Sequence, residues 1–202
     1  MRGFSRGMIG AALLVAGVGL TASAGKHNSK IDIGDSAPSI KNLPGTDGEA
    51  HSLSDFDGKK AVVVVFTGNQ CPVAQAYVGR INQFAADYKE KPVGLLAVSV
   101  NQGKGEGLPA MKKFAQEHDL KFTYAWDESQ KTGKAYGATV TPHVFVLDED
   151  RKVVYMGAWD DNWQSAEGVE DAYVRNAVDA VLAGKTPETA ETLQRGCAIG
   201  YK

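Results

Sequence analysis

The chain has 202 residues, 43% of them apolar and 23% charged, with a formal net charge of −2. This length points to one domain with short appendages, and the near-neutral charge gives no indication of a nucleic-acid partner. The composition is that of a folded globular protein, without low-complexity tracts or internal repeats.

The first residues read as a targeting signal. Arg2 and Arg6 form a basic start, residues 8–20 (MIGAALLVAGVGL) are apolar, and Ala22-Ser23-Ala24 is the small-residue pattern that a signal peptidase accepts. The apolar run is shorter than the ~20 residues a membrane-spanning helix needs. The expectation is cleavage after Ala24 and export to a periplasmic or other extracytoplasmic compartment, without stable membrane insertion afterwards. Cys71 and Cys197 then remain, in surroundings where disulfides persist. An inert buried pair, a structural disulfide and a redox pair are all open at this point.

Residues 25–34 are polar and expected to fray. Residues 35–58 are rich in turn formers, and the alternation around His51-Ser52-Leu53 permits a small hairpin. Ala61–Phe66 (AVVVVF) has the short, β-branched character of a strand covered on both faces. Pro72 suits the first turn of a helix, and Val73, Tyr77, Ile81, Phe84 and Tyr88 recur at helical spacing up to about Lys89. Residues 93–100 (VGLLAVSV) form a second apolar strand, which completes a βαβ unit with a right-handed crossover. The glycine-rich stretch NQGKGEGLP, residues 101–109, matches neither common phosphate fingerprint and reads as a surface loop.

Leu108, Met111, Phe114 and Ala115 predict a second helix ending near His118. Residues 122–126 predict a short strand, and residues 128–136 a short helix closed by Gly137. His143–Leu147 and residues 152–156 predict antiparallel neighbours joined through Asp148-Glu149-Asp150-Arg151. Val169, Tyr173, Ala177, Val178 and Val181 predict a last helix stopped by Gly184. The expected organisation is a signal peptide at 1–24, a domain at 25–184 and a flexible tail at 185–202 carrying Cys197. The fold class is α/β, with a central mixed β-sheet flanked by helices on both faces.

Cys71 stands where a buried strand ends and a helix begins. Open α/β sheets place their chemistry at the carboxyl ends of strands. A helix N-terminus brings unpaired N–H groups and partial positive charge, which favour the nucleophilic thiolate.

VVVVFTGNQCPVA around Cys71 resembles the active-site segment of thioredoxin-like proteins. Thr141-Pro142 before HVFVLD resembles their cis-proline segment, and Gly34-Asp35-Ser36-Ala37-Pro38 resembles the opening of the redoxin branch, the alkyl hydroperoxide reductase and thiol-specific antioxidant group. Asp160-Asp161-Asn162, Tyr173-Val174-Arg175-Asn176-Ala177 and Gly196-Cys197-Ala198-Ile199 resemble its peroxiredoxin-like subgroup.

The resemblance implies a thioredoxin-like fold and an oxidoreductase with Cys71 as nucleophile. It implies a cis Pro142 that sets the Thr141 backbone beside the sulfur, as an edge for an extended substrate. Thr67, Pro72 and His143 are the other expected substrate-facing residues, with His143 either a proton shuttle or an ordinary strand side chain. Protein thiols and disulfides, or a peroxide, are the implied substrates, with an unidentified electron donor; no cofactor or metal is implied.

Three positions depart from the family patterns. Ala74 replaces the second cysteine of a local Cys-x-x-Cys pair, Gly68 stands where peroxiredoxins carry threonine, and Pro142 stands where they carry arginine. Cys197 is then the one other thiol in the chain able to resolve an adduct on Cys71, with a permanent structural bridge as the alternative. The functional expectation is an exported thiol–disulfide oxidoreductase; the alternatives are a thiol-dependent peroxidase and a non-catalytic binding module. A metal carrier is disfavoured, because His27, His51 and His118 lie in unrelated segments. Asp160-Asp161 is expected to be a solvated loop.

Overall fold

The computed structural model describes Met1 and residues 25–202. The targeting segment expected at 1–24 therefore lies, beyond Met1, outside the described residues. In chain order the elements are β1 (Leu43–Pro44), β2 (Ala50–His51), a 3₁₀ turn (Leu53–Phe56), β3 (Ala61–Phe66), α1 (Pro72–Asp87), β4 (Val93–Ser99), α2 (Leu108–Glu117), β5 (Thr123–Trp126), α3 (Lys131–Tyr136), β6 (Val140–Thr141), β7 (His143–Leu147), β8 (Val153–Gly157), α4 (Tyr173–Leu182) and β9 (Cys197–Ala198).

The apolar run AVVVVF takes the centre of a five-stranded sheet of order β5-β4-β3-β7-β8. β3 runs parallel to β4 and antiparallel to β7, β5 is parallel to β4, and β8 is antiparallel to β7. All six residues of β3 are fully buried, because successive side chains point to opposite faces and both faces are covered. Val62, Val64 and Phe66 meet Leu96, Val98, Phe145, Tyr136 of α3 and Ile199 on one side. Val63 and Val65 meet Tyr77, Ile81 and Phe84 of α1, with Val174 and Val178 of α4, on the other. Each such side chain removed from water is worth roughly 1.5–3 kcal/mol, so this strand pins both layers.

Three regions differ from the sequence-based expectation. Residues 25–34 do not fray: Asn28 donates from Nδ2 to the Tyr136 carbonyl at 2.8 Å, and Ile31 is buried. The backbone N–H groups of Lys26 and His27 are held by the Glu191 carboxylate.

The last helix starts at Tyr173, not near Val169. The preceding loop is organised by a buried ion pair, not by helical periodicity. Asp160 is buried rather than solvated: it accepts from the Tyr77 hydroxyl at 2.9 Å and from the Arg80 guanidinium. Arg80 also donates to the carbonyls of Asn162 and Trp163, at 2.6 and 3.0 Å.

The segment after Gly184 is not a loose tail. Met156 donates its N–H to the Ala190 carbonyl at 3.0 Å, and Thr192 returns one to the Met156 carbonyl at 3.0 Å. Further on, β9 pairs antiparallel with β6, and Ile199 enters the core. Among the described residues no helix is long and apolar enough to cross a membrane.

Candidate redox site

The site is assembled from the carboxyl end of β3, the first turn of α1, the β6–β7 junction, β9 and the glycine-rich loop. β3 ends at Phe66, and five residues later Cys71 caps α1 with Pro72 as the first helical residue. Proline loses nothing there, since its missing N–H would have had no intrahelical partner. Capping turns the sulfur toward the helix end, where the Ala74 N–H donates to Cys71 Sγ at 3.4 Å. On its other side Sγ donates to the Thr141 carbonyl at 2.9 Å.

The Thr141–Pro142 peptide bond is cis. Cys71 and Thr141, which are 70 residues apart, thus meet through the hydrogen bond that Sγ makes. Cys197 stands directly opposite Thr141 in the β6–β9 register, and both cysteines are free thiols.

The two thiols are electrostatically unequal. Burial pushes the Cys71 thiol up, but the hydrogen bonds from the Cys197 thiol, the Ala74 N–H and further Thr141 and Cys197 contacts outweigh it, and the net direction is down. The Thr141 carbonyl itself can accept only from the protonated form, so it holds the thiol at rest while the N–H groups await the thiolate. Cys197 moves the opposite way. Burial first, then the hydrogen bond to and the charge of Cys71, raise it to about 11. Cys71 therefore ionises first.

The glycine-rich loop is more than a surface connection. Glu106 accepts from the backbone N–H groups of Asn69 and Gln70 at 3.3 and 3.2 Å, and from Asn101 Nδ2 at 3.3 Å. Asn69 Nδ2 in turn donates to the Gly105 carbonyl at 3.2 Å. Glu106 thus fixes the two residues before Cys71, a role the linear sequence did not reveal. The available signal was the alternation of glycines around it: Gly103, Gly105 and Gly107 all have positive φ, so the loop folds back on itself instead of running out into solvent. Gln70, Cys71, Asn101, Lys104, Glu106 and Cys197 line a cleft of about 260 Å³.

The other expected site residues are placed unevenly. Pro142 is buried beside the site, and Thr141 presents its carbonyl to Cys71, but the Thr141 edge is already occupied by Cys197. Pro72 is exposed on the first turn of α1. Thr67 donates its backbone N–H to the Val98 carbonyl and is not among the cleft residues.

His143 does not face a substrate. It is 1% exposed, its Nδ1 has no partner, and its ring packs 4.6 Å from that of Phe145. Burial holds its pKa down at about 4. The shuttle role fails for that reason, and His143 is a core strand side chain. At Gly68 a Cβ would run into the end of the Asn101 side chain, so the threonine of peroxiredoxins would require Asn101 to move from its place on Glu106.

A family profile described as Redoxin matches residues 32–173. The chain belongs to the redoxin family. Among curated relatives of this redoxin, the thiol-disulfide oxidoreductase ResA of Bacillus thuringiensis subsp. konkukian is 31% identical over 144 residues, covering 70% of this chain and 80% of ResA. Among solved structures, a hypothetical protein of Sinorhizobium meliloti superposes with TM-score 0.79 at 32% identity, covering 87% of this chain and 97% of that one. Peroxidoxin BcpB of Mycobacterium tuberculosis superposes with TM-score 0.58 at 20% identity, covering 76% and 98%, a likeness of fold alone. The fold of this redoxin is thioredoxin-like, and the α1 cap at Cys71 falls inside the matched segment.

Proposed function

We propose that this redoxin is an exported thiol–disulfide oxidoreductase in which Cys71 is the attacking sulfur and Cys197 the resolving thiol. Membership of the family makes it an oxidoreductase. The observation that carries the finer reading is the pairing of Thr141 with Cys197, which sets a second free thiol against the Cys71 sulfur.

In the first step the Cys71 thiolate attacks one sulfur of a disulfide, forming a mixed disulfide and releasing the other sulfur as a thiolate. In the second step Cys197, as thiolate, attacks the Cys71 sulfur and expels the substrate's second thiol. One substrate disulfide is reduced to two thiols, and the protein dithiol is oxidised. The opposed shifts order these steps. Two of the causes that raise Cys197 are the hydrogen bond and the charge of Cys71; once Cys71 is in a mixed disulfide that charge is gone, and Cys197 ionises more readily.

The absent side chain at Gly68 and the proline at position 142 favour a disulfide over a peroxide as oxidant, because neither can polarise an O–O bond. Export is supported by the basic, apolar and small-residue succession in residues 1–24.

Trapping tests the site. With a model disulfide, Cys197→Ser should accumulate an adduct at Cys71 that mass spectrometry detects, and Cys71→Ser should form none. Release of substrate thiol from the Cys197→Ser adduct at the wild-type rate would refute the resolving role. Hydrogen peroxide with a thiol reductant should disappear no faster with the protein than without it. Export is tested by the mature N-terminus, which should begin at Gly25.

A further inference from the structure

We infer that the disulfide this enzyme takes is a low-molecular-weight one, because its own C-terminal strand occupies the edge on which a polypeptide substrate would lie. The inference rests on the thiol–disulfide reading above. An extended polypeptide is recognised at a free strand edge by main-chain pairing. Here the edge beside Cys71 is Val140–Thr141, and it is paired with Ala198 and Cys197.

The occupancy is built in on both sides of Cys197. Upstream, Gly196 lies so close to the cis-proline segment that a Cβ there would run into the Thr141 carbonyl. Gln194 also donates to the Thr139 hydroxyl at 3.1 Å. Downstream, the Ile199 N–H donates to the Thr139 carbonyl at 2.9 Å, and its side chain is buried in the core. Gln130 holds the Gly200 carbonyl and the Lys202 N–H at 3.0 and 2.9 Å, and the Tyr201 hydroxyl reaches the Ala138 carbonyl at 2.7 Å. A polypeptide pairing at this edge would have to displace β9 and the contacts that seat it before meeting the sulfur.

An approach to Cys71 that leaves β9 in place is the cleft at Gln70, Asn101, Lys104 and Glu106. At about 260 Å³ it gives a small molecule a seat beside the occupied strand edge. Cys71 itself is 2% exposed. The seated strand is what bars a chain segment with its flanking residues, whereas half of a small disulfide needs no strand edge.

The experiment measures the rate of adduct formation at Cys71 in the full chain carrying Cys197→Ser. The probes are hydroxyethyl disulfide and unfolded, disulfide-bonded ribonuclease, each normalised to its reaction with a free thiol. The expected preference for the small probe is about tenfold or more. The preference should collapse when the strand is lifted, by Gly196→Val in one chain and by a stop after Arg195 in another, each checked for retained far-ultraviolet dichroism. Equal normalised rates in the parent would overturn the inference. So would a preference that survives in every lifted chain that still folds. If Cys71 forms an adduct with neither probe, although it is alkylated after unfolding, the thiol–disulfide reading itself fails, and with it the inference.

Discussion

At the scale of single residues, the two sulfurs depend on each other. Cys71 is lowered against its own burial by hydrogen bonds, and the largest of these comes from the Cys197 thiol. Replacing Cys197 with alanine removes that donor and leaves the burial, so the Cys71 pKa must rise. Alkylation of Cys71 by iodoacetamide, followed against pH, should show its midpoint displaced to higher pH in Cys197→Ala than in the wild type. An unmoved midpoint would mean that the helix terminus alone sets the thiolate.

His143 makes a second prediction at this scale. It is held at about 4 by burial, against about 6.5 in an unfolded chain. Below pH 6.5 the unfolded chain takes up a proton that the folded one refuses, so stability falls as pH drops from 6.5 through about 4 and levels off beyond. The loss from this group is about 3 kcal/mol. Urea unfolding of the wild type and of His143→Phe across that window should show the wild type losing this amount relative to the variant; parallel curves would place the ring in contact with water.

At the scale of elements, β8 and the segment after Gly184 pack most tightly at Gly157. Gly157 has φ 141°, and a Cβ on it would run into the Thr192 backbone. Gly157→Ala is therefore expected to cost about 1–3 kcal/mol, read as a lowered urea midpoint, with faster hydrogen exchange at Thr192 and at residues 197–199.

This junction also shows what was legible beforehand. The strand AVVVVF, the Pro72 helix start and the hairpin from His143 follow from local periodicity and turn chemistry, which is why β3, α1, β7 and β8 emerge from the sequence. The seat of β9 does not follow, because two residues give no period. It depends on two glycines, Gly157 and Gly196, whose requirement becomes visible only once a neighbouring backbone is present. Asp160 is hidden for a similar reason: its partners, Tyr77 and Arg80, lie 83 and 80 residues away, and an aspartate pair beside an asparagine looks like a solvated turn until Arg80 is brought underneath it. Within the site, Cys71, Thr141, Pro142 and Cys197 could be found by motif, whereas Glu106 acts through backbone N–H groups and leaves no motif.

At the scale of the whole molecule, a bond between Cys71 and Cys197 would close every element from α1 to β9 into one loop. A bond between them would tie the end of the central strand to the C-terminal strand, across a loop of roughly 125 residues. Restricting the unfolded chain to that extent is worth about 5 kcal/mol in the chain-entropy model. β9 places Cys197 opposite Thr141 in the reduced protein, and the Thr141 carbonyl accepts from the Cys71 thiol, so both sulfurs stand at one strand edge before the bond forms. Oxidised protein should therefore melt about 10–20 °C above reduced protein. By linkage, the same free energy should make the pair harder to reduce than an unstructured dithiol by about 100 mV. Scanning calorimetry of the two forms, together with equilibration against glutathione buffers, measures both quantities on one sample, and the two must agree. Agreement at a much smaller value would mean that oxidation pulls β9 off β6, so that the strand sealing the site would open on oxidation and close again on reduction.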